Sequence, residues 1–595
     1  MSLRNLPLVV ALVGCICLGC RVAEGAAAPR AAADSPVATE VFSEALEVRV
    51  VNVDVFTADR QGAPIGGLTR EDFLLRVDGV ERPISNFLAV GGAARPPGES
   101  TVEPPPAGEG ARGDVPELEP SESMSIVLYV DNVALEPAHR ARILDDLERF
   151  AAAQQAPRVR FLLATHDGGL RIRVPFTESA EAIRRGLEEV AKIPSWGIQS
   201  VIARRSAIDS IQSIYRAHED TAGCTPCTCG WQQMFSVQRM YGAELAGRQE
   251  RVRKGLSELV ALLGSVSGRK ALVYVSSGIE QYPGLDLFEY LSDLCPDAAR
   301  GGQSAVWEND ESRPLSEVAA SANANQVTLY TLQAAGLEAS SLGGVEAAEV
   351  RFRPSLRVDT ARRRNLENSL FLLADYTGGR AILSSNTPLE PLNRLSEDFE
   401  HYYSLAFQLS GPADGKIHQL EVELVAEPKG ASVRYRRSYL DKRSADRHVE
   451  RTLSALHLRA GDNPMAMEVS LVVGASVHGG RREVPISIRV PEWALTRGEP
   501  GAPARVHLIV ATLDLERAEA DLRQMRIDLP ARAGVPAHPL GVKLRLAPGR
   551  YRFAVGLRDE TSGLAAYEQL EASVPGQVSG KAPGDAAGVL PPARP

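Results

Sequence analysis

The sequence predicts a multidomain chain of α/β plus β class, in which a central doubly wound, mostly parallel sheet is flanked by a small N-terminal β domain and a C-terminal β-sandwich. Three observations carry this. The stretch Ser125 to Asn132 (Ser-Ile-Val-Leu-Tyr-Val-Asp-Asn) is an unbroken apolar run that stops at a carboxylate, as a strand buried on both faces does. Further apolar strands at Val159 to Thr165, Ala271 to Val275 and Val327 to Leu332 alternate with helical patterns, the signature of a parallel sheet covered on both sides. Beyond about Thr452 the pattern becomes short strands split by Gly and Pro turns, as expected of an immunoglobulin-like sandwich.

At 595 residues the chain is too long for one core, so about three or four domains are expected. Residues 1 to 25 combine Arg4, an apolar run from Leu6 to about Leu18 and small residues at Ala23-Glu24-Gly25, which reads as an export signal. Within it, Leu12-Val13-Gly14-Cys15 and Cys17-Leu18-Gly19-Cys20 resemble the bacterial lipobox, the first fitting its leucine position better. Lipidation at Cys15 or Cys20 and plain secretory cleavage are therefore the two readings, with a membrane contact only through a lipid anchor. No other segment has the length and apolarity of a span.

The net charge of −9 argues against nucleic-acid binding, which needs a basic face. Arg362-Arg363-Arg364 reads as the solvated start of a helix. Outside the signal lie Cys224, Cys227, Cys229 and Cys295, an even number that favours disulfides in an exported chain. Zinc held by Cys224-Thr-Pro-Cys227-Thr-Cys229 with Cys295 as fourth ligand is the alternative. A redox Cys-x-x-Cys lacks the βαβ setting it needs.

Leu46 to Phe56 alternates as a half-buried strand, and a turn at Asp59 to Gly62 follows. Thr69 caps a short helical turn, and Leu74 to Val77, a turn at Asp78-Gly79 and Ile84 to Val90 complete a small β domain over 45–91. Residues 92–122, rich in Pro, Gly and Glu, form a solvated linker. In the α/β region Glu136-Pro137 opens a helix with Ile143, Leu144, Leu147 and Phe150 on one face. A hairpin at Asp167-Gly168-Gly169 leads into Leu170 to Phe176, and helices are expected at 179–190, 236–263, 315–324, 361–376 and 389–399. The segment Pro194 to Trp231 exceeds a usual connection and reads as an insertion and recognition surface. Tyr402 to Gln408, His418 to Val425 and Ala431 to Tyr435 extend the region as antiparallel strands that pair back onto the N-terminal domain. The sandwich spans 452–575, with strands at 467–473, 484–490, 505–513, 542–546 and 551–557, and 576–595 is a disordered tail.

Several of these stretches together resemble a von Willebrand factor type A domain, and in particular the VWFA-related proteins of acidobacteria. The carriers are Asp131 after its strand, Gly268-Arg-Lys-Ala-Leu-Val-Tyr-Val-Ser-Ser-Gly278, Val53 to Gly62 with Gly67 to Phe73, Leu329 to Leu332, Leu373 to Arg380, and Tyr402-Tyr403 followed by Asp414-Gly-Lys416. The resemblance covers about 45–440. It implies an α/β domain over 123–440 that serves protein recognition rather than catalysis. It also implies a divalent cation such as Mg²⁺ at the sheet's carboxyl edge, held by an Asp-x-Ser-x-Ser loop, a threonine and a second aspartate, because hard cations need converging oxygens. Here the first loop reads Asp131-Asn-Val133-Ala-Leu135, Ser277 stands at the aspartate position, and Ser200 is the only proposal for the threonine. Asp131, Ser200 and Ser277 thus make a degenerate site, and no other cofactor is implied. The bland alternative has Asp131 capping the helix that follows.

Other constellations are weaker. Ser267-Gly-Arg-Lys270 matches Ser-x-x-Lys without its companion motifs, and His418-Gln-Leu-Glu421 lies in a strand, where zinc-protease logic fails. His166-Asp167 reads as an exposed turn or as a functional pair. Adjacent strand residues face opposite ways, so one of Tyr402 and Tyr403 belongs to a core. The leading expectation is an exported, metal-independent binding or adhesion module, not an enzyme, at the periplasm, outer membrane or cell surface, with another protein or a surface polymer as partner. An envelope hydrolase or thiol-redox enzyme using the cysteine insertion or His166 and Asp167, and a structural scaffold, are the alternatives.

Overall fold

The computed structural model describes residues 48–91, 124–334 and 354–575, with short breaks inside the last two stretches. The export signal with Cys15 and Cys20, the 92–122 linker and the 576–595 tail lie outside the described residues.

The chain opens with β1 (Val48–Ala58), β2 (Phe73–Val77), β3 (Val80–Glu81) and β4 (Asn86–Val90). The α/β region begins with β5 (Met124–Asp131), α1 (Pro137–Ala153), β6 (Val159–His166), β7 (Leu170–Thr177), α2 (Ala180–Lys192), α3 (Gly197–Ala217) and α4 (Trp231–Leu263). It continues through β8 (Arg269–Ser276), α5 (Leu285–Leu294), α6 (Pro296–Ala299), α7 (Ser312–Ala324), β9 (Val327–Gln333), α8 (Leu356–Thr377), β10 (Ala381–Ile382), α9 (Leu389–Asn393) and α10 (Leu395–Glu400). Next come β11 (Tyr402–Ser410), β12 (Ile417–Leu424), β13 (Ser432–Tyr435), β14 (Ser438–Leu440) and α11 (Ser444–Leu458). The last strands are β15 (Glu468–Leu471), β16 (Arg482–Pro491), β17 (Ala504–Asp514), β18 (Glu519–Leu529), β19 (Ala537–Leu546), β20 (Gly549–Asp559) and β21 (Ala565–Val574).

The central sheet has the order β10-β9-β8-β5-β6-β7, parallel throughout except for β7. Strand order reverses between β5 and β8, the place where open α/β sheets leave a crevice at their carboxyl ends. Alternation along β5 decides what each face buries. Ile126, Leu128 and Val130 pack with Leu144 and Leu147 of α1 and Ile183 and Leu187 of α2. Val127 and Tyr129 meet Leu256 and Leu259 of α4, Leu315 of α7 and Leu373 of α8 on the other side. Each buried leucine contributes about 1.5–3 kcal/mol, so apolar burial on both faces holds the sheet in place. Helix α2 is started by Ser179, whose Oγ accepts from Ala182 N at 3.2 Å, and α8 is stopped by Gly378 at φ 77°.

Two four-stranded sheets, β13-β1-β11-β4 and β14-β12-β2-β3, form a first sandwich. Val53 lies opposite Leu405 and Val55 opposite Tyr403, and these side chains share one core with Phe73, Leu75, Leu420 and Val422. The strands assigned by sequence to a 45–91 domain and to an extension of the α/β region therefore make one unit. Neither set covers its own apolar face alone. Tyr403 is the core member of its pair, and Tyr402 lies outside it, with the Arg269 guanidinium 3.7 Å from its ring centre.

The C-terminal region departs from expectation at its start. Residues 452–458, expected to begin the β pattern, are the end of α11. The apolar positions 453, 455, 456 and 458 fall on more than one side of the helix: Ala455 and Leu456 pack with Ala511, Ala554 and Tyr567, while Leu458 joins the core beneath α4. The sandwich itself sets β15-β16-β19 against β18-β17-β20-β21, with Ile486 and Ile488 facing Leu508, Phe553 and Leu557. Strands β18 and β21 were not anticipated. Both are edge strands: β18 is largely exposed and β21 part-buried, and each alternates only over its last residues, Met525 to Leu529 and Leu570 to Val574.

Candidate functional site

Strand β5 carries Asp131 to the switch point, and alternation sets its carboxylate on the α4 side of the sheet together with Tyr129, His166 of β6, and Tyr274 and Ser276 of β8. Asp131 is wholly buried. Its Oδ1 accepts from Val133 N at 3.1 Å and Ala134 N at 3.2 Å, and its Oδ2 accepts from Tyr274 Oη at 3.1 Å and Ser276 Oγ at 3.0 Å. Burial pushes the Asp131 carboxyl above the usual carboxylate range, against the pull of His166 and these donors. Burial likewise holds His166 below its ordinary value. Among the described residues, both nitrogens of His166 and the Tyr129 hydroxyl have no hydrogen-bond partner. Helix α4 crosses directly over them at Gly255, where a Cβ would stand 2.7 Å from His166 Nδ1 and 2.9 Å from Tyr129 Oη.

The three candidate ligands do not converge as a hard-cation site. Ser277, one position further along, turns its hydroxyl away from the carboxylate to donate to Ala134 O at 3.0 Å. Ser276 is the serine that meets Asp131, because successive strand residues point to opposite faces. Ser200 lies in the first turns of α3, where its Oγ accepts from Arg248 Nη1 at 3.5 Å. Leu135 is fully buried and Val133 packs in the core beneath α4. Asp131 thus spends its acceptor capacity on four protein donors. It stabilises the loop that follows β5 rather than capping α1, whose first residue is Pro137.

His166 and Asp167 separate onto opposite faces: the turn holds Asp167 as expected, but His166 is buried in the sheet and does not bond to Asp167. His166 is buried, whereas Asp167 sits at the turn, with its N donating to Gly169 O at 3.1 Å. Its carboxylate accepts from Asn132 Nδ2 at 2.5 Å and Thr165 Oγ1 at 2.7 Å and pairs with Arg173.

The cysteine segment is a helical layer. Disulfides join Cys224 to Cys229 and Cys227 to Cys295, so all four sulfurs are bonded in pairs. Around them Ile208 and Ile211 of α3, Trp231 and Met234 of α4, and Phe288 and Leu291 of α5 form a separate core. The stretch read as an insertion is therefore mostly helix, packed on the start of α4.

Sequence reasoning missed a buried polar group beside this layer. Arg204 of α3 bonds Asp286 of α5, and both are buried. Glu280, in the loop after β8, is buried next to them, accepts from Gly284 N at 3.1 Å, and has its pKa pushed up to about 7 by burial and by Asp286. The available signal was two acids, Glu280 and Asp286, embedded between apolar runs. Elsewhere, Asp414, His418 and Asp441 bring ligand atoms within 4.8 Å of one another, with Asp441 paired to Arg49.

The start of α3 is tied to the Asp131 loop, because Trp196 N donates to Asn132 O at 3.0 Å and Gly197 N to Leu135 O at 3.2 Å. A Cβ at Gly197 would lie 2.4 Å from the Leu135 carbonyl, so glycine permits this approach. Three large apolar side chains on this turn face solvent: Trp196 is 46%, Ile198 47% and Ile202 60% exposed.

No family model and no curated protein sequence matches the chain. Similar solved structures include an aerotolerance-related membrane protein from Bacteroides fragilis, at 9% identity over 46% of this chain and 98% of that one, with TM-score 0.21. The BatB protein of Bacteroides thetaiotaomicron is similar at 10% identity over 47% and 99%, with TM-score 0.20. The pilus adhesin SpaC of Lactobacillus rhamnosus GG is similar at 8% identity over 85% of this chain and 70% of that one, with TM-score 0.26. These values are too low to transfer the role of any residue.

Proposed function

We propose that the chain is an exported, metal-independent binding protein of the cell envelope, in which a degenerate von Willebrand A-like sheet holds another protein or a surface polymer at its carboxyl edge. The observation that carries this reading is the pairing of an internally satisfied Asp131 with an exposed apolar turn bonded to the same loop. A carboxylate occupied by four protein donors acts as a structural tie. Trp196, Ile198 and Ile202, by contrast, offer the kind of aromatic and aliphatic anchor on which binding energy concentrates. The doubly wound sheet with an acid at its switch point supports the A-like assignment. A binding role is favoured over catalysis because His166 and Asp167 point apart and the cysteines are paired.

The test is affinity capture from envelope extract by the exported protein and by a Trp196→Ala/Ile202→Ala variant, each with EDTA and with Mg²⁺. Capture unaffected by EDTA and lost in the variant, with unchanged circular dichroism, is the expected result. Loss of capture in EDTA that Mg²⁺ restores would sink the metal-independent reading.

A further inference from the structure

The opposite end of the sheet carries an unbalanced cluster of positive charge. Lys270 is the second residue of β8, Arg436 lies between β13 and β14, Arg451 is on α11 and Arg558 on β20. All four line a cavity of about 580 Å³ where the first sandwich, the α/β region and the C-terminal sandwich meet. A neighbouring cavity of about 370 Å³ shares Lys270 and Arg436 as lining. The larger cavity is lined by seven lysines and arginines against two carboxylates, in a chain whose net charge is −9.

Both carboxylates are already engaged. Asp441 pairs with Arg49, and Glu450 with Lys442 at 2.7 Å. Lys270 is buried and donates to the carbonyl oxygens of Val266, at 2.8 Å, and Gly268, at 3.3 Å. Arg436 donates to the carbonyls of Asn323, at 2.9 Å, and Asn52. Arg451 lies 5.3 Å from the ring centre of Tyr567. Among the described residues, none of Lys270, Arg436, Arg451 and Arg558 has a carboxylate partner. Asp54, whose charge favours both Lys270 and Arg436, is held by Arg269 at 3.0 Å. Burial, reinforced by Lys442 and Arg436, lowers the Lys270 pKa to about 7. Carbonyl dipoles solvate a cation without neutralising it, so several like charges around one cavity oppose folding unless an anion joins them.

We infer that this junction is a binding site for a small phosphate-class oxyanion, held by Lys270, Arg436, Arg451 and Arg558. Guanidinium groups present paired N–H donors that match phosphate oxygens, and lysine adds a compact charge. The volume is that of a small-molecule site and exceeds what one phosphate fills, which points to a ligand of pyrophosphate size or a phosphate on a short organic stem. Bound there, the anion would tie the three regions together.

The test is calorimetric titration and thermal unfolding of the exported protein with pyrophosphate and with glycerol 3-phosphate, against sodium chloride at equal ionic strength. Saturable binding with a rise in unfolding midpoint is expected, since a ligand bound only by the native state stabilises it. Tighter pyrophosphate binding assigns a mineral oxyanion, and tighter glycerol 3-phosphate binding a phosphorylated organic group; either supports the site. Arg558→Gln, at a half-buried position, is expected to weaken binding about tenfold or more, the scale of one charge-assisted hydrogen bond. Lys270→Met is expected to raise the midpoint without ligand and to shrink the ligand-induced rise. Shifts equal to those in sodium chloride, or wild-type affinity in Arg558→Gln, would overturn the inference.

Discussion

Ser276 Oγ donates to Asp131 Oδ2 at 3.0 Å, joining the carboxyl ends of the two strands that flank the switch point of the central sheet. With Tyr274 it closes the carboxylate on the side away from the loop amides. The edge is thereby closed by protein donors, and the exposed turn of α3 hangs from the same loop.

Ser276→Ala removes a buried donor to a buried carboxylate and is expected to lower stability by about 1–3 kcal/mol. Ser277→Ala breaks a single bond to a carbonyl and is expected to cost about 0.5–1.5 kcal/mol. Urea unfolding of the two variants decides between the neighbouring serines. A larger loss at Ser277 would contradict the facing described above.

Gly255→Ala is expected to destabilise by about 1–3 kcal/mol through overpacking, because the added methyl meets His166 and Tyr129 within van der Waals distance. Gly247, on the same helix, has no atom near its missing Cβ. Alanine there is expected to stabilise by about 0.5–1 kcal/mol from helix propensity. Thermal unfolding of the pair separates the local clash from a general glycine effect.

The two disulfides differ in the length of chain they close. Cys227–Cys295 spans 68 residues and Cys224–Cys229 spans 5. Chain-entropy arguments give about 4 kcal/mol for the first and about 2 kcal/mol for the second. Paired serine replacements measured by chemical unfolding should keep that order. Thiol titration of the unreduced protein should find these four cysteines blocked.

His418 links the first sandwich through Asp78 at 2.7 Å and Asp414 at 3.3 Å. Partial burial by itself would lower its pKa, but the two carboxylates outweigh that and raise it. Its contribution is therefore fully present below the unfolded value of about 6.5 and is lost as pH rises through the raised folded value. Asp78 and Asp414 are lowered mainly by hydrogen bonds, Asp78 by His418 and Asp414 by the Lys416 amide, so their share is present above about pH 4 and fades as pH falls through their folded values. Stability should thus gain most between about pH 4 and 6.5. His418→Gln should flatten the decline above pH 6.5, as read by urea midpoints across pH.

Much of the central architecture was legible because it is written in local periodicity. The apolar run ending at Asp131, the helix face of Ile143, Leu144, Leu147 and Phe150, and the strand at Ala271 to Val275 all appear as elements in the places their patterns indicate. Edge strands β18 and β21 were not legible, since polar residues interrupt the apolar alternation in the first half of each. The Arg204, Asp286 and Glu280 group was hidden for a different reason: its members come from two helices and a loop separated along the chain.

The sequence by itself determined that a buried strand brings Asp131 to a sheet edge, that Val133 and Leu135 deny that edge two hydroxyls, and that Tyr402 and Tyr403 face opposite ways. Those properties depend on side-chain identity and on the two-residue period of a strand. Only the tertiary structure decided that β1 lies between β11 and β13, that Ser276 rather than Ser277 meets Asp131, that Cys227 joins Cys295, and that four basic side chains share one cavity. Each of these is a juxtaposition across long stretches of chain. It is set by which apolar faces bury one another, a property of the folded whole that no local pattern contains.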